Sequence, residues 1–227
     1  MEQFTQILTQ LTEGFGNTLL LFAITLLGAI PLGLLFAVGS LSAFKPLQYL
    51  VKGIMWVIRG TPLMLQILLV SFLPMALGLK TKDIAAFFDI RVGAVLFWFV
   101  VVAFVINYAC YFSEIYRAGI QSIPLGQYEA GTVLGLTKGE IFFKIILVQA
   151  LKRIFPPMSN EIITLVKDTA LAQILGVVDL LNAANHAVNE FVDLTPLLYA
   201  SIFYLIFNGL LTLLFSYVEK EFEWFKV

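Results

Sequence analysis

Five stretches of this chain are apolar over about the 20 residues that a helix needs to cross a bilayer: 15–41, 62–79, 92–116, 156–178 and 195–218. No other feature constrains the fold as strongly. In hydrocarbon every backbone N–H and C=O must find a partner within its own segment, so such stretches fold as helices. The composition supports a membrane solvent rather than a large soluble core. Of the 227 residues, 60% are hydrophobic and 13% charged, against about half and about a quarter in soluble domains. The fold class expected is all-α, a polytopic membrane protein with about five transmembrane helices. No low-complexity segment, repeat or flexible linker divides the chain, so 1–227 reads as a single membrane domain. A net charge of −1 offers no basic surface to nucleic acid. The single cysteine, Cys110, can form neither an internal disulfide nor a thiolate cluster. The only histidine, His186, falls in 179–193, between the last two stretches. With no Ser/His/Asp set and no ligand cluster, neither a catalytic nor a metal site is expected.

The first 14 residues lack Lys and Arg, so they do not read as a signal peptide. Phe4, Ile7, Leu8 and Leu11 recur at helical spacing, which predicts a short amphipathic helix on the membrane surface. Orientation follows from the basic residues. Lys45, Lys52 and Arg59; Arg117, Lys138, Lys144, Lys152 and Arg153; and Lys220 and Lys226 lie on one side, and only Lys80, Lys82 and Arg91 on the other. The richer side is the cytoplasm, which puts the N-terminus outside and the C-terminus inside. In the first span Ala29, Gly33 and Ala37 line up at four-residue spacing beside Pro31. Small residues so spaced admit a close helix neighbour, most simply one in the same chain, and Pro31 is expected to kink the span.

The segment 117–155, between the third and fourth spans, is long for so economical a chain. Ser122 and Pro124 suit a helix start and Gly135 a helix stop, so 125–134 is expected to form a helix of about 15 Å. It is too short to span a bilayer, and Ala130, Gly131 and Thr132 give it a slim face. Such a helix suits insertion into a groove on another protein, or it is a plain surface helix.

These residues carry a resemblance. Gln127-Tyr128-Glu129-Ala130-Gly131, Gly135 four positions on, and Ile145 and Leu147 beyond it are similar to the EAA motif of bacterial ABC importer permeases. Arg59-Gly60-Thr61-Pro62, the run from Ser113-Glu114 through Arg117 to Pro124, Asn160-Glu161, and Lys167-Asp168-Thr169 resemble signatures of the polar amino acid branch. The resemblance runs from about Asn17 to the C-terminus. It departs at Gly131, where an alanine is usual, and at Val148, where a proline is usual. It implies a type I ABC importer permease-like fold in a bacterial cell membrane. Gln127, Glu129, Ala130, Gly131 and Gly135 would form the coupling helix that docks on an ATPase. It further implies two ATPase subunits, a second permease copy or paralogue, and an extracytoplasmic substrate-binding protein. No G-x-x-x-x-G-K-[ST] occurs, so ATP and Mg would belong to the partner ATPase, with no cofactor in this chain.

Within the spans, polar residues are costly and mark candidate sites. Asn160, Thr164 and Lys167 share one face of the fourth span, with Glu161 and Asp168 on an adjacent face. An amino acid carries an ammonium and a carboxylate, and this span offers complements to both. Asn160, Glu161, Thr164 and Lys167 are therefore candidate pathway residues, with Asn107 of the third span; a structural Lys–carboxylate pair is the alternative. Glu114 and Arg117 read as an interfacial salt bridge. Thr61 and Pro62 read as the cap and first turn of the second span, Arg59 as an inter-helix anchor, and Asp168 as part of a helix break or gate. The function expected is a permease subunit importing a polar amino acid. The alternative is an ion-driven secondary transporter of small polar solutes.

Overall fold

The computed structural model describes residues 1–222, which form helices and no strand. In order these are α1 (Glu2–Ser40), α2 (Lys45–Arg59), α3 (Leu63–Ala76), the short α4 (Thr81–Phe87) and α5 (Val92–Gln121). α6 (Leu125–Val133) precedes a continuous helical run of α7 (Lys138–Glu140), a π-helical turn (Ile141–Ile146) and α8 (Leu147–Asp168). The run tightens into a 3-10 helix (Thr169–Leu175). α9 (Leu180–Phe191) and α10 (Thr195–Phe222) follow.

Each expected span overlaps a helix, the fourth running from α8 into the 3-10 helix. α1, α5 and α10 are long and apolar enough to cross a membrane, and α2 with α3 makes a fourth candidate as one pair bent by 109°. α8 carries Lys152, Arg153, Glu161, Lys167 and Asp168, too many charges to qualify by composition. It packs against α5 and α10 instead. Residues from α1, α3, α5 and α8 share the main core, with Leu21, Ile67, Phe104, Phe112 and Leu165 at its centre.

Two expectations differ from the structure. Residues 2–14 are not a separate surface helix but the first turns of α1. Ile7 and Leu11 are buried against Leu180, Ala184 and Ala187 of α9, so the amphipathic stripe has a protein partner. Within 179–193 the chain forms α9. Asp179 opens α9 by accepting hydrogen bonds from the Asn182 N–H at 3.0 Å and the Leu181 N–H at 3.3 Å, an N-cap role that suits Asp. The helix that carries the fourth stretch does not begin at Pro156 but runs through Pro156 and Pro157. Ile146, Ala150 and Ile154 bury its N-terminal half against Ile123 and Ile141, and that packing carries it past the two missing N–H donors.

The small-residue stripe of α1 packs within the chain. Ala29 and Ala37 are buried, and a Cβ on Gly33 would lie 3.0 Å from the Ala109 carbonyl oxygen of α5. α1 continues through Pro31 as one helix.

Candidate functional site

The coupling segment forms a small satellite core. α5 ends at Gln121, and Pro124 occupies the N-cap position of α6 in an extended conformation. Ser122 closes α5 instead of opening α6, its hydroxyl donating to the Gly119 carbonyl at 2.6 Å. Gly135, at φ +74°, takes the left-handed conformation that ends the helix. Thr137 and Glu140 then form a capping box that starts the next helix. Lys144, the Thr137 N–H and the Thr137 hydroxyl hold the Glu140 carboxylate well below its usual range, at about 2. One face of α6 is anchored: Tyr128 packs into the cluster of Ile123, Ile141 and Ile146, and Gly131 is buried. Gln127 accepts a hydrogen bond from Gln149 at 3.2 Å. The other face is open. Glu129 and Ala130 are exposed, Leu125 is 76% and Val133 87% exposed, so the helix presents apolar side chains outward.

The bend between α2 and α3 is organised by residues the sequence reading partly misassigned. Thr61 does not cap α3. Its hydroxyl donates back to the Val57 carbonyl at 3.0 Å and closes α2, while Pro62 takes the N-cap position of α3. A residue before proline is pushed away from the helical region, so the chain turns there. Asn107 does not face an open cavity. It is 5% exposed and donates to the Gln66 side-chain oxygen at 2.9 Å. Gln66 donates in turn to the Ile58 carbonyl at 2.7 Å and to the Thr61 carbonyl at 3.0 Å. Two buried amides therefore lock the bend onto α5, and a buried amide so satisfied holds a geometry. Gln66 went unnoticed in the sequence; its only signal is an amide in an otherwise apolar stretch.

Arg59 meets Glu114 at 3.7 Å and lies 5.5 Å above the Tyr111 ring. Arg117 forks onto both oxygens of Glu114, with Nε at 3.1 Å. Through Arg59, Glu114 also joins α2 to α5. On α8, Asn160 and Lys167 are exposed, and Glu161 and Thr164 are half-buried. The Thr164 hydroxyl donates to the Asn160 carbonyl. Among the described residues no salt bridge involves Glu161, Lys167 or Asp168. Asp168 sits where α8 changes to 3-10 geometry and accepts a hydrogen bond from the buried Tyr108 hydroxyl at 2.7 Å. Tyr108 is a second residue the sequence reading missed. Asn160, Thr164 and Lys167, with Glu161 on the adjacent face, thus form a polar side of α8 whose Glu161 and Lys167 have no ion pair among the described residues.

A slim helix with an open apolar face, joined to a membrane core, is the architecture of a subunit that works with others. Residues 29–224 match the family described as binding-protein-dependent transport system inner membrane component. The chain belongs to this family. It is thus a multi-pass component of a cell membrane and a transport permease subunit, working with a binding protein and a separate ATPase. The arginine transport system permease protein ArtQ of Bacillus subtilis (strain 168) is 34% identical over 211 residues, 92% of this chain and 90% of that protein. The L-cystine transport system permease protein TcyB of the same organism is 31% identical over 215 residues, 94% of this chain and 86% of that one. A crystal structure of an amino acid ABC transporter with histidines superimposes with a TM-score of 0.84 at 28% identity, covering 96% of each chain. The MetNI methionine ABC transporter, in an inward-facing form, shares the permease fold, with a TM-score of 0.64 at 16% identity.

Proposed function

We propose that this permease carries a polar amino acid through a path lined by Asn160, Glu161, Thr164 and Lys167, driven by ATPases that grip α6. The observation that carries this reading is the polar face of α8, which lacks an ion-pair partner of its own. A zwitterion supplies both missing charges. Relatives named for arginine, cystine and glutamine transport support the substrate class. Residues 1–227 act as one permease domain. Two such subunits, two copies or one with a paralogue, enclose the path, since five helices rarely do so alone. Two ATPases bind ATP and Mg and dock through Gln127, Glu129, Ala130, Gly131 and Gly135; this chain holds no cofactor. One binding protein delivers substrate at the face formed by α9 and the start of α1. There, Gln10, Glu13, His186 and Glu190 border a cavity of about 580 Å³. The N-terminus is outside and the C-terminus cytoplasmic. Arg59, Thr61, Pro62, Glu114, Arg117 and Asp168 position the helices that open and close.

Reconstitution of the complex in proteoliposomes tests this. Uptake of arginine, glutamine or cystine should require ATP and the binding protein and persist without any ion gradient. Uptake that follows an imposed proton or sodium gradient without ATP would establish the secondary transporter instead.

A further inference from the structure

α2 combines two surfaces, of which only Arg59 has a role in the transport reading above. Lys45, Gln48, Lys52 and Arg59 fall on one stripe of the helix, at positions i, i+3, i+7 and i+14. The other side is apolar and open: Tyr49, Leu50, Gly53, Ile54, Val57 and Ile58 line a groove of about 560 Å³. Between the two faces stands Trp56, 79% exposed. α2 meets α3 at 109°, close to perpendicular. A helix that leaves a span at such an angle, with a basic stripe and an apolar face, has the build of one lying in the membrane interface. Trp is the side chain favoured at that level.

Beside the basic stripe is a cavity of about 330 Å³, lined by Lys52, Met55, Trp56, Arg59, Glu114 and Arg117. Three of these residues are cations and one is a carboxylate. Glu114 is already engaged by Arg117 and Arg59. Lys52 is exposed and forms no salt bridge among the described residues. The cavity therefore holds an excess of two positive charges beside apolar surface.

We infer that this cavity between α2 and the end of α5 binds the phosphate of an anionic phospholipid, whose acyl chains lie along the apolar face of α2. Basic pockets between membrane helices take such headgroups. Met55 and Trp56 in the cavity wall, and the apolar face of α2 beyond Trp56, select a lipid over a soluble phosphate, which would use the charge and leave the apolar surface bare. The inference rests on the membrane placement of the chain and not on the substrate or the coupling proposed above.

The test uses the complete transporter complex in detergent, with bound lipid counted by native mass spectrometry. Phosphatidylglycerol and phosphatidylcholine with the same acyl chains are titrated separately. Phosphatidylglycerol should bind about fivefold more tightly, the effect of roughly one basic residue at an anionic surface. Lys52→Gln should remove that preference, and Lys52→Arg should restore it. Lys45→Gln, on the same stripe but outside the cavity, should keep it. Equal binding of the two lipids in the unmodified complex, or a preference that survives Lys52→Gln, overturns the inference. So does displacement of phosphatidylglycerol by millimolar inorganic phosphate, which marks a soluble-anion site. Displacement by free arginine overturns it too, by assigning the cavity to the transport path.

Discussion

Gly131 departs from the alanine usual in the motif it resembles, and its surroundings explain why. A Cβ there would lie 2.7 Å from Cγ1 of Ile141, the first residue of the π-helical turn. Glycine inside a helix costs about 1 kcal/mol relative to alanine, whereas forcing a methyl into a filled space costs about 1–3 kcal/mol. Gly131→Ala is therefore expected to lower thermal stability in detergent despite its better helix propensity. Ile141→Ala alone should also destabilise, by about 2–5 kcal/mol, through the cavity it leaves. The double variant should lose clearly less than the two singles together, because each change makes room for the other. Losses that add to within about 0.5 kcal/mol would show that the two side chains do not compete for space. Glu161 is a second test at this scale. Glu161→Gln keeps the shape and removes the charge, so ATPase activity stimulated by the binding protein should persist while uptake slows or changes preference. Unchanged uptake and unchanged preference would remove Glu161 from the substrate path.

Among the elements, α9 carries a pH dependence that can be read from its cap. Burial pushes the Asp179 carboxyl up to about 6, although the N–H groups of Asn182 and Leu181 act in the opposite direction. Its unfolded value is about 3.9. Between these values the folded state holds a proton that the unfolded state has released, so stability falls as pH rises. The contribution is complete below about pH 4 and lost as pH passes about 6. Asparagine caps helices as well as aspartate does and does not titrate. The melting temperature of Asp179→Asn should therefore gain on that of the unmodified protein as pH rises from about 4 to about 7. Parallel profiles for the two proteins would show that Asp179 is not the titrating group. This cap was illegible in the sequence, because the buried face of α9 is built on Ala183, Ala184 and Ala187, too small to produce a strong apolar period. α6 was legible because Pro124 and Gly135 bracket it with backbone constraints that need no tertiary partner. The bonds from Asn107 to Gln66 and from Tyr108 to Asp168 join residues 41 and 60 positions apart. A single amide or hydroxyl in an apolar run says that a partner exists but not where. The polar face of α8 was visible because charges in a span stand out; its lack of ion pairs needed the fold.

For the molecule as a whole, the distribution of Lys and Arg makes a prediction about sidedness. In a Cys110→Ala background, a cysteine introduced at Lys138 should resist an impermeant thiol reagent added to intact cells and react once the membrane is opened. Labelling in intact cells would invert the assigned orientation. Sidedness also gives α1 a particular standing. Its 39 residues make a rod of about 58 Å, nearly twice the thickness of about 30 Å of hydrocarbon. One end is packed on α9, where Ile7 and Leu11 are buried, and the other on α2, where Gly39 abuts Val51. These contacts place one lever between the face assigned to the binding protein and the helix assigned to the lipid. Its mechanical advantage is set by length alone: a tilt of about 10° about the Ser40 end swings the Glu2 end through about 10 Å.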